Sequence, residues 1–329
     1  MVRVKLDQDG IKFCFFTDVH LSAKPPGRRV DDYSKAILGK LNFTSEWCHD
    51  NGYIGLCGGD VFHVKSATSV ANPHVLINKA METFQTFPGN KVYGIVGNHD
   101  VTYDDVTSLP NQPLGVLIQS GSYERINEPF IFEDKNGLTV EVVPFDFGNE
   151  MSILNAILDY PDEYEADYRI GVCHGMARTG GAQELFGHPI IGYNQLQDAN
   201  FDILLWGHDH SFIPKTRAGN VVHIHPGSMA RAAFSSDETD RTVHLVGIEF
   251  HDQNTCKIKT QEIPTKPIEA TFRTVDVDDK DSEAGMQDYL EGVRSKVGSI
   301  EIIDALQVIE DVCAEDHDMK KLILEVCEY

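Results

Sequence analysis

Five short motifs rich in histidine and acidic residues supply side chains that can bind divalent metal ions. In chain order they are Asp18-x-His20, Gly59-Asp60, Gly97-Asn98-His99-Asp100, His174-Gly175 and Gly207-His208-x-His210. Carboxylates, imidazoles and amide oxygens are ligands for Mn²⁺, Fe²⁺, Zn²⁺ or Mg²⁺, and none of the motifs contains the thiolates typical of a structural zinc site. Each motif alone is weak, because a histidine at a strand end is commonly a hydrogen-bonded loop residue. The five together indicate a metal centre.

The elements that must position these motifs are buried strands. Each motif follows an apolar run of the kind that predicts a strand covered on both faces. The runs are residues 11–17, 53–57, 91–96, 168–173 and 201–206. Helical patterns at 33–47 and 75–84 lie between the early runs, and this alternation predicts an α/β fold.

Open α/β sheets bind ligands at the carboxyl ends of their strands, so we expect the five motifs to converge. Residues two apart on an extended segment point the same way, and Asp18 and His20 can therefore bind one ion. His208 and His210 have the same spacing and can serve two ions. A central carboxylate such as Asp60 can bridge two ions about 3.5–4 Å apart.

The composition limits the class of protein. The chain has 329 residues, of which 41% are hydrophobic, which is enough for about two folded domains. The sequence contains no run of about 18 apolar residues and no apolar leader segment. Its seven cysteines show no Cys-x-x-Cys spacing. These features predict a cytoplasmic protein with reduced thiols and no membrane partner.

The formal charge of −23 is concentrated near the carboxyl end. Residues 268–329 contain 17 acidic and 6 basic residues, and the two prolines within 263–267 interrupt any regular element before them. We therefore expect a catalytic domain over 1–263 and a small capping or partner-binding domain over 268–329. An acidic surface repels polyanions, which predicts weak unaided binding to nucleic acid.

The five motifs together resemble those of the calcineurin-like metallophosphoesterase superfamily, which are D-x-H, G-D, G-N-H-[DE], H and G-H-x-H. The resemblance covers residues 11–230. It implies a metallophosphoesterase β-sandwich core flanked by helices, with a small C-terminal α/β capping domain. It also implies an enzyme with two divalent metal ions, with Mn²⁺ as the first expectation and Mg²⁺, Fe²⁺ or Zn²⁺ as alternatives.

The resemblance assigns a role to each polar residue of the motifs. The ligands of the first metal would be Asp18, His20, Asp60 and His210, and those of the second would be Asp60, Asn98, His174 and His208. His99 would be a non-ligand histidine that contacts the scissile phosphate and protonates the leaving oxygen.

A finer resemblance is carried by Gly59-Asp60-Val61-Phe62-His63, which looks like the G-D-x-F-H form of the Mre11/SbcD DNA nucleases. This branch implies DNA as substrate, His63 as a second catalytic histidine and a homodimer. It further implies a Rad50/SbcC-like SMC ATPase as partner in DNA repair or recombination. The alternative for His63 is a histidine at a helix start that bonds to the backbone. The chain is shorter after the cap than larger members of the branch, so the mode of ATPase binding stays open.

Basic residues beside the first motif are candidates for substrate binding. Lys24, Arg28 and Arg29 follow Asp18-x-His20 and are expected to contact the phosphate backbone, the alternative being a solvated loop. Arg178 and Arg231 also follow strands of the site. They either line the same rim or are ordinary surface residues.

The sequence therefore predicts phosphodiester hydrolysis by a DNA exonuclease or endonuclease. The alternative is a phosphodiesterase or phosphatase acting on nucleotides, small molecules or phosphoproteins, which the acidic surface favours. A non-catalytic binding module would require the loss of a ligand or of His99, and none is lost.

Overall fold

Two large β-sheets form the centre of the protein. The computed structural model describes residues 1–27, 29–66, 69–103, 105–161, 166–185, 188–231 and 242–272. Within these ranges one sheet has six strands, another has seven, and a third has three short strands. The cysteines in these ranges are free thiols. None of the helices found there has the length and apolar character needed to span a membrane.

The six-stranded sheet carries the first three motifs. Its strands, in spatial order, are β16 (Thr255–Ile263), β15 (Val243–Asp252), β2 (Ile11–Phe16), β3 (Ile54–Cys57), β4 (Val92–Gly94) and β5 (Tyr123–Arg125). β2 to β5 are parallel to one another, and β15 pairs antiparallel with both β2 and β16. The carboxyl ends of β2, β3 and β4 therefore lie along one edge.

The seven-stranded sheet carries the last two motifs. Its strands, in spatial order, are β1 (Val2–Lys5), β6 (Phe130–Glu133), β7 (Thr139–Phe145), β8 (Tyr168–His174), β12 (Ile203–Gly207), β14 (Val221–His225) and β13 (Ile213–Ala218). β7, β8, β12 and β14 are parallel neighbours. The small sheet joins β10 (Gln183–Leu185), β11 (His188–Gly192) and β9 (Ala177–Arg178).

Helices cover the outer faces of the two large sheets. They are α1 (Tyr33–Asn51), α2 (His74–Gln85), α3 (Pro113–Gln119), α4 (Glu150–Leu158) and the short α5 (Ile268–Thr271). The Asp32 side chain accepts a hydrogen bond from the Lys35 N–H at the start of α1, and Gly52 ends this helix in the left-handed conformation. α1, α2 and α3 pack on the six-stranded sheet, and α4 packs on the seven-stranded sheet.

The space between the two large sheets is filled by apolar side chains from both. Phe13 of β2 meets Phe132 of β6 edge-on with 5.0 Å between ring centroids, and Tyr168 of β8 meets Phe250 of β15 at 4.6 Å. Stacked sheets with helices outside confirm the predicted α/β core. Apart from its first residues, the capping domain predicted for 268–329 lies outside the described residues.

Residues 268–272 pack against the catalytic unit, although the sequence places them in the cap. The Val30 N–H donates to the Thr271 carbonyl over 2.9 Å. Phe272 is 1% exposed, and the guanidinium carbons of Arg29 and Arg231 lie 5.6 and 5.9 Å from its ring centroid. These contacts place residues 268–272 against the catalytic unit, and the division of the chain between residues 263 and 268 stays a prediction.

The burial of Phe272 predicts a large effect of its removal on stability. Phe272→Ala should lower the free energy of unfolding by about 3 kcal/mol, because it removes a buried ring and leaves a cavity. Chemical denaturation measures this loss. Tyr103→Ala is the matched control, since that ring is 87% exposed and its removal should change stability by less than about 0.5 kcal/mol. Equal effects of the two substitutions would contradict the packing described for Phe272.

Candidate metal centre

The carboxyl ends of five strands from both large sheets meet at one edge, and the predicted metal ligands lie there. From the six-stranded sheet, Asp18 and His20 follow β2, Asp60 follows β3, and Asn98 follows β4. From the seven-stranded sheet, His174 ends β8, and His208 and His210 follow β12. The structure thus brings all seven residues together, in two groups.

The first group consists of Asp18, His20 and His210 and could hold one metal ion. The Nε2 atoms of His20 and His210 are 2.9 Å apart, and Asp18 Oδ1 lies 3.8 Å from each of them. Asp18 and His20 are fully buried, whereas the side chain of His210 is 31% exposed. This group therefore reaches solvent at His210.

The second group consists of Asp60, His174 and His208, with Asn98 beside them. The Asn98 Oδ1 atom lies 3.2 Å from His174 Nε2 and 3.1 Å from His208 Nδ1. His174 Nδ1 bonds to the Gly58 carbonyl over 2.7 Å, which requires a hydrogen on Nδ1 and turns Nε2 towards the group.

Asp60 lies between the two groups. Its Oδ1 accepts a hydrogen bond of 2.8 Å from the His99 N–H, which fixes the orientation of the carboxylate. Its Oδ2 lies 3.6 Å from His20 Nε2 and 3.5 Å from His174 Nε2. One carboxylate oxygen therefore faces a histidine of each group.

The spacing of these atoms fits divalent metal ions. Nitrogen and oxygen ligands lie about 2.0–2.2 Å from a bound ion, so atoms that share an ion are between about 3 and 4.4 Å apart, depending on the angle between them. The ring nitrogens of His20 and His210, at 2.9 Å, are close enough to share one cation or one proton. The donor set of imidazole, carboxylate and amide oxygen suits Mn²⁺, Fe²⁺, Zn²⁺ or Mg²⁺.

Burial and charge set the protonation of the site. Burial lowers the pKa of His208 to about 3 and holds that of His20 well below its ordinary value, so both rings are neutral at pH 7. Burial also opposes the charging of His174, but the Asp60 and Asp18 carboxylates and the Gly58 carbonyl together outweigh it and raise the His174 pKa to about 9. Asp60 stays ionised because His174 and His99 hold its pKa well below the usual range despite burial. The ionised carboxylate of Asp60 thus favours the binding of positive charge at the centre of the site.

Four of the seven predicted ligands have left-handed backbone conformations. The φ angles are +52° at Asp18, +47° at His20, +53° at Asp60 and +90° at His208. Such conformations cost about 1–3 kcal/mol each in residues other than glycine and cluster at functional sites. Their persistence requires support from surrounding hydrogen bonds.

Part of that support comes from residues that sequence reasoning missed. The Tyr33 hydroxyl of α1 donates to the His20 carbonyl over 2.7 Å, and Ser228 Oγ donates to the Asp18 carbonyl over 3.0 Å. The His20 N–H donates to the Asp60 carbonyl over 2.9 Å. Neither Tyr33 nor Ser228 belongs to the five metal-binding motifs. Tyr33 is marked in the sequence only as part of a helix face, and Ser228 only as part of the Pro226-Gly227-Ser228-Met229 stretch, which resembles the G-S-P of the Mre11/SbcD branch.

Asp100 is a further residue that the sequence analysis left without a role, although it lies in the third motif. Its carboxylate is buried and accepts main-chain N–H groups of Asp60 at 2.8 Å, Val61 at 3.0 Å and Gly97 at 3.0 Å. Burial and the nearby charge of Asp60 raise its pKa to about 7. Asp100 thereby ties the loop that carries Asp60 to the loop that carries Asn98 and His99.

His99 and His63 lie beside the first group, on the side of His20. The rings of His63 and His99 are stacked, with 5.6 Å between centroids, and those of His20 and His99 meet edge-on at 4.7 Å. His99 Nδ1 bonds to the His63 carbonyl over 2.7 Å, so Nδ1 carries the hydrogen. Burial lowers the pKa of His99.

The three basic residues predicted to bind substrate have different surroundings. Lys24 is exposed, and Arg28 lies outside the described residues. Arg29 is 7% exposed, and its guanidinium donates to the Asp31 carboxylate and to the Ala230 and Arg231 carbonyls. These bonds join two loops beneath the site and argue against the predicted phosphate contact of Arg29.

Comparison with known families agrees with this geometry. A family model for calcineurin-like phosphoesterases matches residues 11–212, which include all seven predicted ligands. The chain belongs to the calcineurin-like phosphoesterase family. This calcineurin-like protein is thus a metal-dependent phosphoesterase, and the fold implies two divalent metal ions. The family match leaves the Mre11/SbcD branch as a prediction.

Two solved structures align with the chain at low sequence identity. A dimetal phosphatase from Danio rerio aligns with a TM-score of 0.52 and 11% identity, over 79% of this chain and 100% of that chain. The protein TT1561 of Thermus thermophilus aligns with a TM-score of 0.45 and 11% identity, over 78% of this chain and 100% of that chain. No curated protein matches the sequence significantly.

The close approach of two loops predicts that Gly97 tolerates no side chain. A Cβ at this position would overlap with Asp60 Oδ1 and lie 2.5 Å from Asp60 N. Gly97→Ala should displace Asp60 and lower both bound metal and activity, the activity by about 10–100-fold. Elemental analysis and hydrolysis of a nitrophenyl phosphodiester measure the two effects.

The matched control is Gly39→Ala, on the exposed face of α1, where a Cβ meets no atom within 4 Å. This variant should keep the metal content and the rate of the wild type. Wild-type metal content and rate in Gly97→Ala would contradict the position described for Asp60.

Proposed function

We propose that the protein is a dinuclear-metal-dependent phosphodiesterase that cleaves DNA, of the Mre11/SbcD type. The observation that carries the dinuclear assignment is Asp60, whose Oδ2 faces His20 of one group and His174 of the other at 3.6 and 3.5 Å. A carboxylate in this position balances the charge of two ions at once.

The two groups provide a complete ligand set for two ions. We assign the first metal to Asp18, His20, Asp60 and His210, and the second to Asp60, Asn98, His174 and His208. When bound, two divalent ions neutralise the charge of the phosphate and lower the pKa of a water molecule. Mn²⁺ is the proposed metal, with Mg²⁺, Fe²⁺ and Zn²⁺ as alternatives.

His99 is the proposed general acid. Its Nδ1 hydrogen is engaged by the His63 carbonyl at 2.7 Å, so Nε2 is the nitrogen that exchanges a proton with substrate. Its main-chain N–H holds Asp60 Oδ1 at 2.8 Å, so the same residue also orients the bridging carboxylate. In its protonated form His99 gives the Nε2 proton to the departing oxygen.

His63 is the proposed partner of His99 in this step. Its carbonyl fixes the tautomer of His99, and its ring stacks on the His99 ring at an interplanar angle of 16°. The ring also meets His20 edge-on at 5.4 Å. These contacts favour a role in the site over that of a histidine that only bonds to backbone at a helix start.

DNA is the proposed substrate because of the Gly59-Asp60-Val61-Phe62-His63 motif and the small capping domain expected to follow the catalytic domain. The segment 268–329 would bind a Rad50/SbcC-like ATPase or a second copy of the chain. The net charge of −23 favours a second candidate, a phosphodiesterase or phosphatase acting on nucleotides, small molecules or phosphoproteins.

A substrate panel with Mn²⁺ separates the two candidates. Linear duplex DNA, single-stranded DNA, cyclic nucleotides and a phosphomonoester are compared at equal enzyme concentration. We expect cleavage of DNA, at a low rate without a partner because the acidic surface weakens binding. Hydrolysis of the phosphomonoester with no cleavage of either DNA would overturn the nuclease proposal.

The assignment of His99 predicts a rate loss that depends on the leaving group. His99→Ala should keep its bound metal and lose about 10²–10⁴-fold in the rate of DNA cleavage. The loss should be smaller for a nitrophenyl phosphodiester, because a nitrophenolate leaves without a proton. Steady-state rates and elemental analysis check both statements.

His74→Ala, at an exposed position at the start of α2, is the control and should keep both rates. Equal losses on DNA and on the nitrophenyl ester would assign His99 to phosphate positioning instead of proton transfer. Loss of metal in His99→Ala would reject the assignment of a non-ligand residue.

A further inference from the structure

An ion pair between a buried carboxylate and a partly exposed arginine involves the loop that joins two of the proposed ligands. Asp209 stands between His208 and His210 but turns its side chain away from both metal groups. It is 5% exposed, and its Oδ2 accepts a hydrogen bond of 2.8 Å from Arg178 Nε. Its Oδ1 accepts one of 3.0 Å from the Ser211 N–H.

The loop around Asp209 is held from several sides. The Ser228 N–H donates to the His210 carbonyl over 3.1 Å, and His225 Nδ1 of β14 bonds to the Ser211 carbonyl over 2.8 Å. His208 N–H donates to both oxygens of Asp18, at 3.1 and 3.2 Å. The carboxylate that holds Arg178 is therefore fixed relative to the metal groups.

Arg178 itself lies at the same edge. It follows His174 by four residues, within the short strand β9, and its side chain is 39% exposed. The Nε–H of Arg178 donates to Asp209. The N–H groups of the two Nη atoms can therefore donate to another ligand. An arginine has five N–H donors in a planar fork that matches phosphate oxygens.

The placement of this pair argues against contact with the scissile phosphate and favours contact with a neighbouring phosphate. Arg178 bonds to Asp209, which lies between the proposed ligands His208 and His210 in the chain. The guanidinium is therefore attached to the ligand loop, and we take it to lie beside the scissile phosphate and not on it. In a chain of net charge −23, a fixed cation at this edge offsets the repulsion of a second phosphate.

We propose that Arg178, held by Asp209, binds the phosphate next to the scissile one. The ligand class is a molecule with two phosphates separated by one nucleoside, as in a polynucleotide. This inference rests on the proposed phosphodiesterase function. An ester with a single phosphate leaves Arg178 unused.

The test compares substrates that differ by one phosphate. Thymidylyl-thymidine has only the scissile phosphate, and its 5′-phosphorylated and 3′-phosphorylated forms add a second on either side. The quantity measured with Mn²⁺ is the ratio of kcat/KM between a two-phosphate and the one-phosphate substrate. We expect a ratio above one in the wild type for one of the two forms, and a fall of about 10-fold or more in Arg178→Ala.

Three further variants sharpen this result. Asp209→Asn should lower the ratio because it weakens the anchor of the guanidinium, and Arg178→Lys should restore it only in part because the fork is lost. Arg217→Ala removes an exposed arginine of β13 and should leave the ratio unchanged. A second measurement, independent of cleavage, is the calorimetric affinity for thymidine 3′,5′-bisphosphate relative to thymidine 5′-monophosphate.

The outcomes separate this inference from the proposed function. An unchanged ratio in Arg178→Ala, or an equal loss on all three substrates, would overturn the phosphate site and assign Arg178 to support of the ligand loop. If the wild type cleaves no dinucleotide but hydrolyses a phosphomonoester, the nuclease proposal fails. The Arg178 site is then decided by calorimetry, and equal relative affinities in wild type and Arg178→Ala would reject it.

Discussion

The buried carboxylate of Asp100 is the interaction on which the arrangement of the site depends. It accepts N–H groups from Asp60 and Gly97, and so joins two loops that leave neighbouring parallel strands. Without this bond the donors would be buried without partners, at a cost of about 1–3 kcal/mol each. The direct bond from the His99 N–H would then be the remaining hydrogen bond, among the described residues, between the Asp60 side chain and the loop that carries His99. The position of the proposed bridging ligand is therefore set by a residue that touches none of the proposed metals.

Much of the site could be predicted from the sequence because parallel strands impose its geometry. Runs such as 168–173 and 201–206 are apolar throughout, and side chains that follow them meet at a common edge. The grouping of His174 with His208 and Asn98 is what the resemblance to the calcineurin-like metallophosphoesterases implies, whereas strand order alone predicts only that the motifs converge. The same reasoning finds the α/β core, since helical patterns alternate with these runs.

The parts of the site that the sequence did not predict depend on contacts between segments far apart in the chain. The periodicity of apolar residues carries no information on such contacts. Arg29 follows the first motif and has the charge expected of a phosphate-binding residue, yet carbonyls two hundred residues away bury its guanidinium. Phe272 follows a proline-rich boundary, yet it packs between Arg29 and Arg231. Asp100 lies inside the third motif, but its bonds to the Asp60 and Gly97 N–H groups become visible only in the folded structure, where the two loops meet.

The two halves of the site belong to different sheets. The packing between the sheets therefore determines how the proposed ligands are placed relative to one another. Asp18, Asp60 and Asn98 are carried by one sheet, and His174 and His208 by the other. Contacts such as Phe13 with Phe132 and Tyr168 with Phe250 hold the sheets at one separation. A sliding of one layer over the other would move the ligands of one sheet relative to those of the other. Apolar residues that never meet the substrate therefore help to determine whether the site could hold its ions.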